Sequence, residues 1–155
     1  MGIDTDLATF VPQETPFRWS GIRELVYNQN LDSPFRDVTR RILFDAEHGL
    51  GVQVRYFEVA PGGWSTLEHH GHPHEVIPIR GNGRVLVQDR ILHVAPHDLV
   101  YIPAWAWHQL RPEGEEPFGF ICIVTVERDR PVFPTADEIE QIKASDPEVA
   151  EFIRY

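Results

Sequence analysis

Nine short segments with the composition of β-strands succeed one another in the middle of the chain. They alternate apolar with polar residues or are rich in β-branched and aromatic residues, and they cover residues 38–44, 52–60, 64–70, 74–79, 84–88, 90–94, 99–103, 107–111 and 118–126. Proline or glycine separates most of them, as in the Gly81-Asn82-Gly83 turn. Because no helical segment intervenes, this pattern favours an antiparallel sandwich or barrel and argues against a parallel α/β sheet.

Helical signals are confined to the end of the chain. Thr135 with Glu138, and Ser145 with Glu148, have the spacing of capping boxes that open two short helices. A length of 155 residues suits one domain around a single core. We therefore predict a flexible N-terminal arm at residues 1–16, an all-β domain at residues 17–134 and a helical tail at residues 135–155.

The charge balance limits the kinds of partner. Acidic residues outnumber basic ones 24 to 14, and the net charge of −10 argues against nucleic acid or an anionic membrane as the main partner. A small-molecule substrate fits better. The sequence begins with MGIDTDLATF, which lacks the basic and apolar regions of a signal peptide, so we expect a soluble, cytoplasmic protein. The single cysteine, Cys122, excludes an internal disulfide and suits a reducing compartment.

Histidines are concentrated in one short segment. Four of the eight in the chain lie between His69 and His74, inside a region that otherwise has strand character. Imidazole is the commonest protein ligand of transition metals, and so dense a cluster indicates a metal site. Of the other four, the histidines at positions 48, 93 and 97 are expected at the surface or in turns.

The segment around this cluster resembles the first motif of single-domain cupins, which contains a glycine, a His-x-His pair, a glutamate and a closing glycine. With Gly81 as the closing glycine, His74 occupies the usual glutamate position, His70 the second histidine and Glu68 the first. Glutamate and histidine have therefore exchanged places relative to the common pattern. The resemblance implies a cupin fold, an antiparallel double-stranded β-helix or jelly-roll barrel, here followed by short C-terminal helices.

Residues 97–108 resemble the second cupin motif. Pro103 is in register and His108 stands at the last ligand position, whereas His97 and Trp105 occupy positions at which the motif usually has glycine. Together the two motifs indicate the fold more specifically than the reaction, because this scaffold carries many different chemistries.

The strand pattern gives the same ligand set. Alternation places Glu68 and His70 on one face, with His69 on the other, and a turn after His70 brings His74 opposite them. His108, from a later strand, completes three nitrogens and one oxygen. Such a set suits Mn, Fe(II), Ni, Cu or Zn with positions left for substrate. If the turn is shorter, His72 replaces Glu68 as a ligand.

Cys122 and Arg55 are candidates for the same cavity. In small cupins with a similar last strand, the face that carries Cys122 looks toward the metal, where a cation would lower the pKa of the thiol. The alternative is that Cys122 is a small buried apolar residue. Arg55 either faces an anionic substrate or pairs with a neighbouring strand at the surface.

Residues 35–41, 61–74, 99–109 and 117–122 are similar to bacterial cupins of sulfur salvage, among them the 1-methylthioxylulose 5-phosphate methylsulfurylases. This resemblance implies an Mn-dependent enzyme that removes a methylthio group from a sugar phosphate to give 1-deoxyxylulose 5-phosphate. Glutathione or another thiol would be co-substrate, Cys122 the nucleophile and His72 the proton donor.

Three other functions remain open from the sequence. A non-haem metal dioxygenase and a sugar or keto-acid isomerase both use the same metal ligands without the thiol. A cupin that only binds a small molecule needs neither catalysis nor metal for folding. For each of them a homodimer is expected, because the strand-like segment near residues 17–27 and the open sheet edges need covering.

Overall fold

The computed structural model describes residues 10–27 and 35–155, so part of the predicted N-terminal arm lies outside the described residues. The described chain contains strands β1 to β11 in order: Gln13–Thr15, Arg18–Trp19, Leu25–Val26, Arg36–Phe44, Val52–Trp64, His74–Arg80, Asn82–Val87, Arg90–Val94, Val100–Ile102, His108–Glu113 and Phe118–Thr125. Two helices follow, α1 at Ala136–Ser145 and α2 at Pro147–Phe152. The proposed division into arm, all-β domain and tail remains a prediction.

Two antiparallel sheets enclose the main core. The larger has the strand order β3-β4-β5-β11-β6-β9 and the smaller the order β10-β7-β8. Val59 and Phe120 from the larger sheet and Val85 and Leu110 from the smaller one are buried in the same apolar cluster. The strands alternate because one side of each faces this cluster. The expected all-β cupin jelly roll is therefore confirmed.

The predicted strand at residues 64–70 is wrong. Strand β5 ends at Trp64, and beyond it only isolated bridges form, from Glu68 to His108 and from His69 to Val132. Successive residues in this segment pair with different neighbours, because the chain here leaves the larger sheet and passes along β10. The paired backbone groups fix Glu68 and His70 in position without a continuous ladder.

His97 and Trp105 stand at motif positions where glycine is usual, and both have a backbone conformation that favours glycine. His97 has a φ of 77° and Trp105 a φ of 63°, both in the left-handed region. Both residues lie in turns, where the Asp98 carboxylate accepts from the Ala95 N–H at 2.7 Å and the Trp105 N–H donates to the His70 carbonyl at 2.7 Å. The second contact ties this loop to the histidine segment at the cost of about 1–2 kcal/mol for the left-handed residue.

The helical tail packs as a second small core. Thr135 caps α1 in a reciprocal capping box with Glu138, as predicted. The cap of α2 was predicted one residue too early, because Asp146 rather than Ser145 accepts from the Glu148 N–H, at 2.7 Å, and Pro147 takes the first helical position. Val149 and Phe152 of α2 pack with Leu86 and Trp107. Among the described residues, neither helix is long or apolar enough to cross a bilayer.

Candidate metal centre

Three buried imidazoles meet at one end of the space between the sheets. His70 precedes the turn, His74 begins β6 and His108 begins β10. Their candidate ligand atoms all lie within 4.8 Å of one another. The turn between the first two requires Gly71, since a Cβ there would lie 2.9 Å from Cζ2 of Trp105. The sequence prediction that these three histidines lie together is thus reproduced by the geometry.

The ring orientations fit a metal ion. Nδ1 of His70 donates to the His72 carbonyl at 2.7 Å, and Nδ1 of His108 donates to the Ala106 carbonyl at 2.9 Å. A neutral imidazole that donates from Nδ1 has its lone pair on Nε2. Nε2 of His74 and Nε2 of His108 are buried and have no hydrogen-bond partner. A divalent cation would satisfy both atoms, so the residues present fit the metal that a cupin site implies.

The electrostatics keep two of these rings, His70 and His74, neutral. Burial, together with the neighbouring imidazoles, lowers the pKa of His70 to about 4 and holds the pKa of His74 well below its usual value. Both rings are consequently unprotonated at neutral pH. Only the unprotonated ring can bind a cation, so these two rings can accept one without losing a proton.

Glu68 lies beside the three rings as a buried carboxylate. One of its oxygens is 3.7 Å from Nε2 of His108 and accepts from the Tyr27 hydroxyl at 3.3 Å, and the Thr66 hydroxyl donates to the other. Burial alone would raise the pKa of Glu68, but the contacts with His108 and Thr66 outweigh it and lower that pKa. Whether this carboxylate is the fourth ligand remains a prediction.

His72 occupies a different position from the other histidines. Its ring stacks on His70 with centroids 3.7 Å apart, and its Nδ1 lies 2.7 Å from an oxygen of Asp129. It does not belong to the group of three within reach of one ion. The Asp129 carboxylate also accepts from the N–H groups of Gly71 at 2.6 Å and His72 at 3.0 Å, and the first of these contacts contributes most to lowering its pKa to about 2.

Asp129 is a further residue of this site that no sequence motif indicates. This residue follows the last strand in a charged segment, Glu127-Arg128-Asp129-Arg130, that carries no site motif. It reaches the turn only because the chain after β11 pairs with the histidine segment, where the His69 N–H donates to the Val132 carbonyl at 3.0 Å. His69 itself stacks on Trp107 with centroids 3.8 Å apart, on the side away from the three rings, as alternation predicted.

The thiol of Cys122 lies directly behind His74. Its Sγ is 3.2 Å from Nδ1 of His74 and 3.2 Å from Nη2 of Arg55, in a residue that is 2% exposed. The strand register explains the position of the thiol, because Cys122 of β11 is opposite Arg55 of β5 and Val76 of β6. Burial raises the pKa of the thiol, and the Arg55 guanidinium acts in the opposite direction. Arg55 therefore faces inward, and the surface alternative is wrong.

A cavity of about 160 Å³ opens beside these groups. The three clustered histidines, Glu68, His72 and Cys122 line it, together with the apolar side chains of Phe57 and Phe120. Three arginines complete the wall: Arg40, Arg55 and Arg128. The histidines at positions 48, 93 and 97 are exposed and do not line this cavity, as expected.

Comparisons with known proteins agree with the geometry. Residues 55–124 match the model of the cupin domain family. A 1-methylthio-D-xylulose 5-phosphate methylsulfurylase of Rhodospirillum rubrum is 44% identical over 146 residues, which are 94% of this chain and 93% of that protein.

Two solved structures are similarly related. A cupin 2 conserved barrel domain protein from Rhodopseudomonas palustris is 44% identical, with a TM-score of 0.87 over 95% of this chain and 100% of that one. A cupin 2 domain-containing protein from Halorhodospira halophila is 41% identical, with a TM-score of 0.72 over 94% and 96% of the two chains. With this identity over nearly its whole length, the chain belongs to the cupin family and is similar to the methylsulfurylase-type cupins within it.

Proposed function

We propose that this protein is a metal-dependent enzyme that removes the methylthio group from 1-methylthioxylulose 5-phosphate. The observation that carries the proposal is the position of Cys122, whose Sγ lies 3.2 Å from Nδ1 of His74 while Nε2 of the same ring faces the other two imidazoles. One ring thereby separates the nucleophile from the metal position. The identity of 44% to a protein named for this reaction supports the assignment.

The metal site supplies charge stabilisation. His70, His74 and His108 would hold a divalent cation, which would supply a Lewis acid for negative charge that develops on the ketose oxygens. Glu68 is proposed as the fourth ligand because its carboxylate lies 3.7 Å from Nε2 of His108. Manganese is the proposed metal, although imidazole and carboxylate ligands also accept Fe, Ni, Cu or Zn.

Cys122 carries the group-transfer step. Its thiolate attacks the methylthio sulfur, a new S–S bond forms, and the bond between that sulfur and C1 of the ketose breaks with its electron pair passing to C1. This charge is delocalised onto the C2 oxygen as an enolate. His74 and Arg55 each place a donor 3.2 Å from the sulfur, which favours the thiolate and opposes the effect of burial.

The remaining steps return the protein to its starting state. His72, held by Asp129, supplies the proton that C1 takes to give 1-deoxyxylulose 5-phosphate. The proton of glutathione or another cellular thiol restores His72. The resulting thiolate attacks the methyl disulfide on Cys122, releases the cysteine thiolate and leaves as its methyl disulfide. The overall reaction is balanced, with carbon reduced and sulfur oxidised. This use of a cellular thiol suits the cytoplasm.

The test replaces the nucleophile. Cys122→Ser should abolish release of 1-deoxyxylulose 5-phosphate while the metal content stays near one ion per chain. Intact-mass analysis without added thiol should detect one methylthio adduct on the wild-type protein and none on the variant. Release of 1-deoxyxylulose 5-phosphate that survives in Cys122→Ser would refute Cys122 as the nucleophile. No release by the wild type would refute the proposed reaction and favour an isomerase or dioxygenase, neither of which needs the thiol.

Two further measurements address the cofactor and the assembly. Elemental analysis of natively purified protein should find manganese, and chelation should change the rate at which a thiol reagent labels Cys122. A homodimer is proposed from the open sheet edges, and light scattering during gel filtration measures it.

A further inference from the structure

Three guanidinium groups converge on one wall of the cavity. Arg55 in β5 is opposite Cys122 in β11, and Arg40 in β4 is opposite Phe57, which is two residues along β5 from Arg55. Residues two apart on a strand share a face, so Arg40 and Arg55 are diagonal neighbours on the inner side of the sheet. Arg128 reaches the same cavity from the segment after β11.

None of these three arginines has an ion pair with a carboxylate in the part of the chain that the structure describes. Other arginines do, since Arg18 and Arg80 pair with Glu58 and Arg41 pairs with Glu24. The Nε atoms of Arg40 and Arg55 are buried without a hydrogen-bond partner. A chain with a net charge of −10 has many carboxylates, yet within residues 10–27 and 35–155 no ion pair neutralises this wall.

This arrangement is unfavourable without an anion. Burial and the nearby Arg55 lower the pKa of Arg40, and burial with both other arginines lowers the pKa of Arg128. Like charges held together in a partly buried wall repel each other more strongly than they would in water. An oxyanion in the cavity would remove this repulsion and satisfy the unpaired donors, since guanidinium groups bind phosphate in a fork geometry.

The three side chains are not equivalent. Arg55 already contacts the Cys122 sulfur and lies over the Phe57 ring, 5.0 Å from its centroid. Arg128 is anchored, because it donates to the Thr125 carbonyl at 2.8 Å and to the Gln53 side-chain oxygen at 3.1 Å. The Arg40 guanidinium has no hydrogen bond within the described residues, and its Nε is buried without a partner, so its fork is available for a ligand.

From these contacts we propose that Arg40 and Arg128 form the subsite for the phosphate of the sugar substrate, with Arg55 between it and Cys122. This inference rests on the proposed function for the identity of the substrate. It makes Arg40 a specificity-determining residue that separates phosphorylated from unphosphorylated ketoses. The carboxylates of a thiol co-substrate such as glutathione are the other source of an oxyanion that this wall could bind.

The test is calorimetric titration of the metal-loaded protein with D-xylulose 5-phosphate, D-xylulose and inorganic phosphate. D-Xylulose 5-phosphate has no methylthio group, so it is not consumed by the proposed reaction. The wild type should bind it at least about tenfold more tightly than D-xylulose. Arg40→Gln should weaken binding of the phosphate ester by about tenfold or more and leave binding of D-xylulose unchanged. Arg40→Lys should restore part of the loss.

Arg130→Gln is the matched control, because Arg130 lies two residues from Arg128 but is exposed and does not line the cavity. It should bind all three probes like the wild type. Thermal melts of both variants establish that the fold is intact. In the methylthio-transfer assay, Arg40→Gln should raise KM for the ketose phosphate more than it lowers kcat.

The outcomes separate this inference from the proposed function. Equal binding of D-xylulose 5-phosphate by wild type and Arg40→Gln would overturn the subsite, and the methylthio-transfer assay would still judge the reaction. A rise of KM for glutathione alone would also overturn it and assign the arginines to the thiol. Arg40-dependent binding of inorganic phosphate, without methylthio transfer by the wild type, would support the subsite and refute the proposed reaction.

Discussion

Removing the metal should lower the free energy of unfolding, because it leaves buried imidazole nitrogens without a partner. Without an ion, Nε2 of His74 and Nε2 of His108 are buried with no partner. Each unsatisfied polar atom of this kind costs about 1–3 kcal/mol, and a bound cation would satisfy both. Because the unfolded chain does not hold the three rings together, the ion binds almost only to the folded state.

The expected size follows from this linkage. An ion present at about one hundred times its Kd stabilises the folded state by about 2.7 kcal/mol. A domain of 155 residues changes its Tm by about 2–4 °C for each kcal/mol. Chelation should therefore lower the Tm by about 5–11 °C, and restoring manganese should return it.

The assay is differential scanning calorimetry with and without chelator, on wild type, His108→Ala and His93→Ala. His93 is the matched control, since it is exposed and pairs with Glu113 rather than with the ring cluster. His93→Ala should show the full decrease, and His108→Ala should show almost none because it has lost a ligand. A His108→Ala protein that keeps the full decrease would place the ion elsewhere and refute the three-histidine site.

Two other perturbations examine the same region. In the metal-free protein, burial holds the pKa of His70 at about 4, below the value of 6.5 expected in the unfolded chain. The unfolded state therefore binds the proton first, so stability present above about pH 6.5 is lost as the pH falls toward 4. Urea melts at several pH values should show a smaller loss for metal-free His70→Ala than for wild type, and identical pH profiles would contradict the assignment. Asp129→Asn weakens the contacts to Gly71 and His72, so methylthio transfer should fall by about 10- to 100-fold while metal content is retained. If turnover in Asp129→Asn is unchanged, then His72 does not depend on Asp129 for its proposed role as proton donor.

Local features of the sequence were sufficient for most of the strands and for bringing three candidate metal ligands together. Alternation reflects the single buried face of each strand, which is a property of neighbouring residues in the chain. The spacing of His70, His74 and His108 within the two motifs was enough to place them together, as the 4.8 Å limit on their ligand atoms confirms. The capping box at Thr135 was likewise local and correct.

The sequence predictions were wrong where contacts between residues that are distant in sequence decide the local structure. Residues 64–70 have strand composition, but Glu68 and His69 pair with His108 and Val132, so no continuous strand forms there. At the second helix, Pro147 at the first helical position moves the cap to Asp146, although Ser145 has the better motif spacing. His97 and Trp105 keep left-handed backbones that their side chains alone would not predict.

The all-β fold, the histidine cluster and the single thiol follow from the sequence, because periodicity and motif spacing are local properties of the chain. The groups that surround them depend on how distant parts of the chain pack together. The register of β4, β5 and β11 brings Arg40 and Arg55 to the face of Cys122, and the chain after β11 brings Asp129 to the histidine turn. These contacts depend on strand pairing between residues far apart in sequence, and no local sequence pattern indicates that pairing.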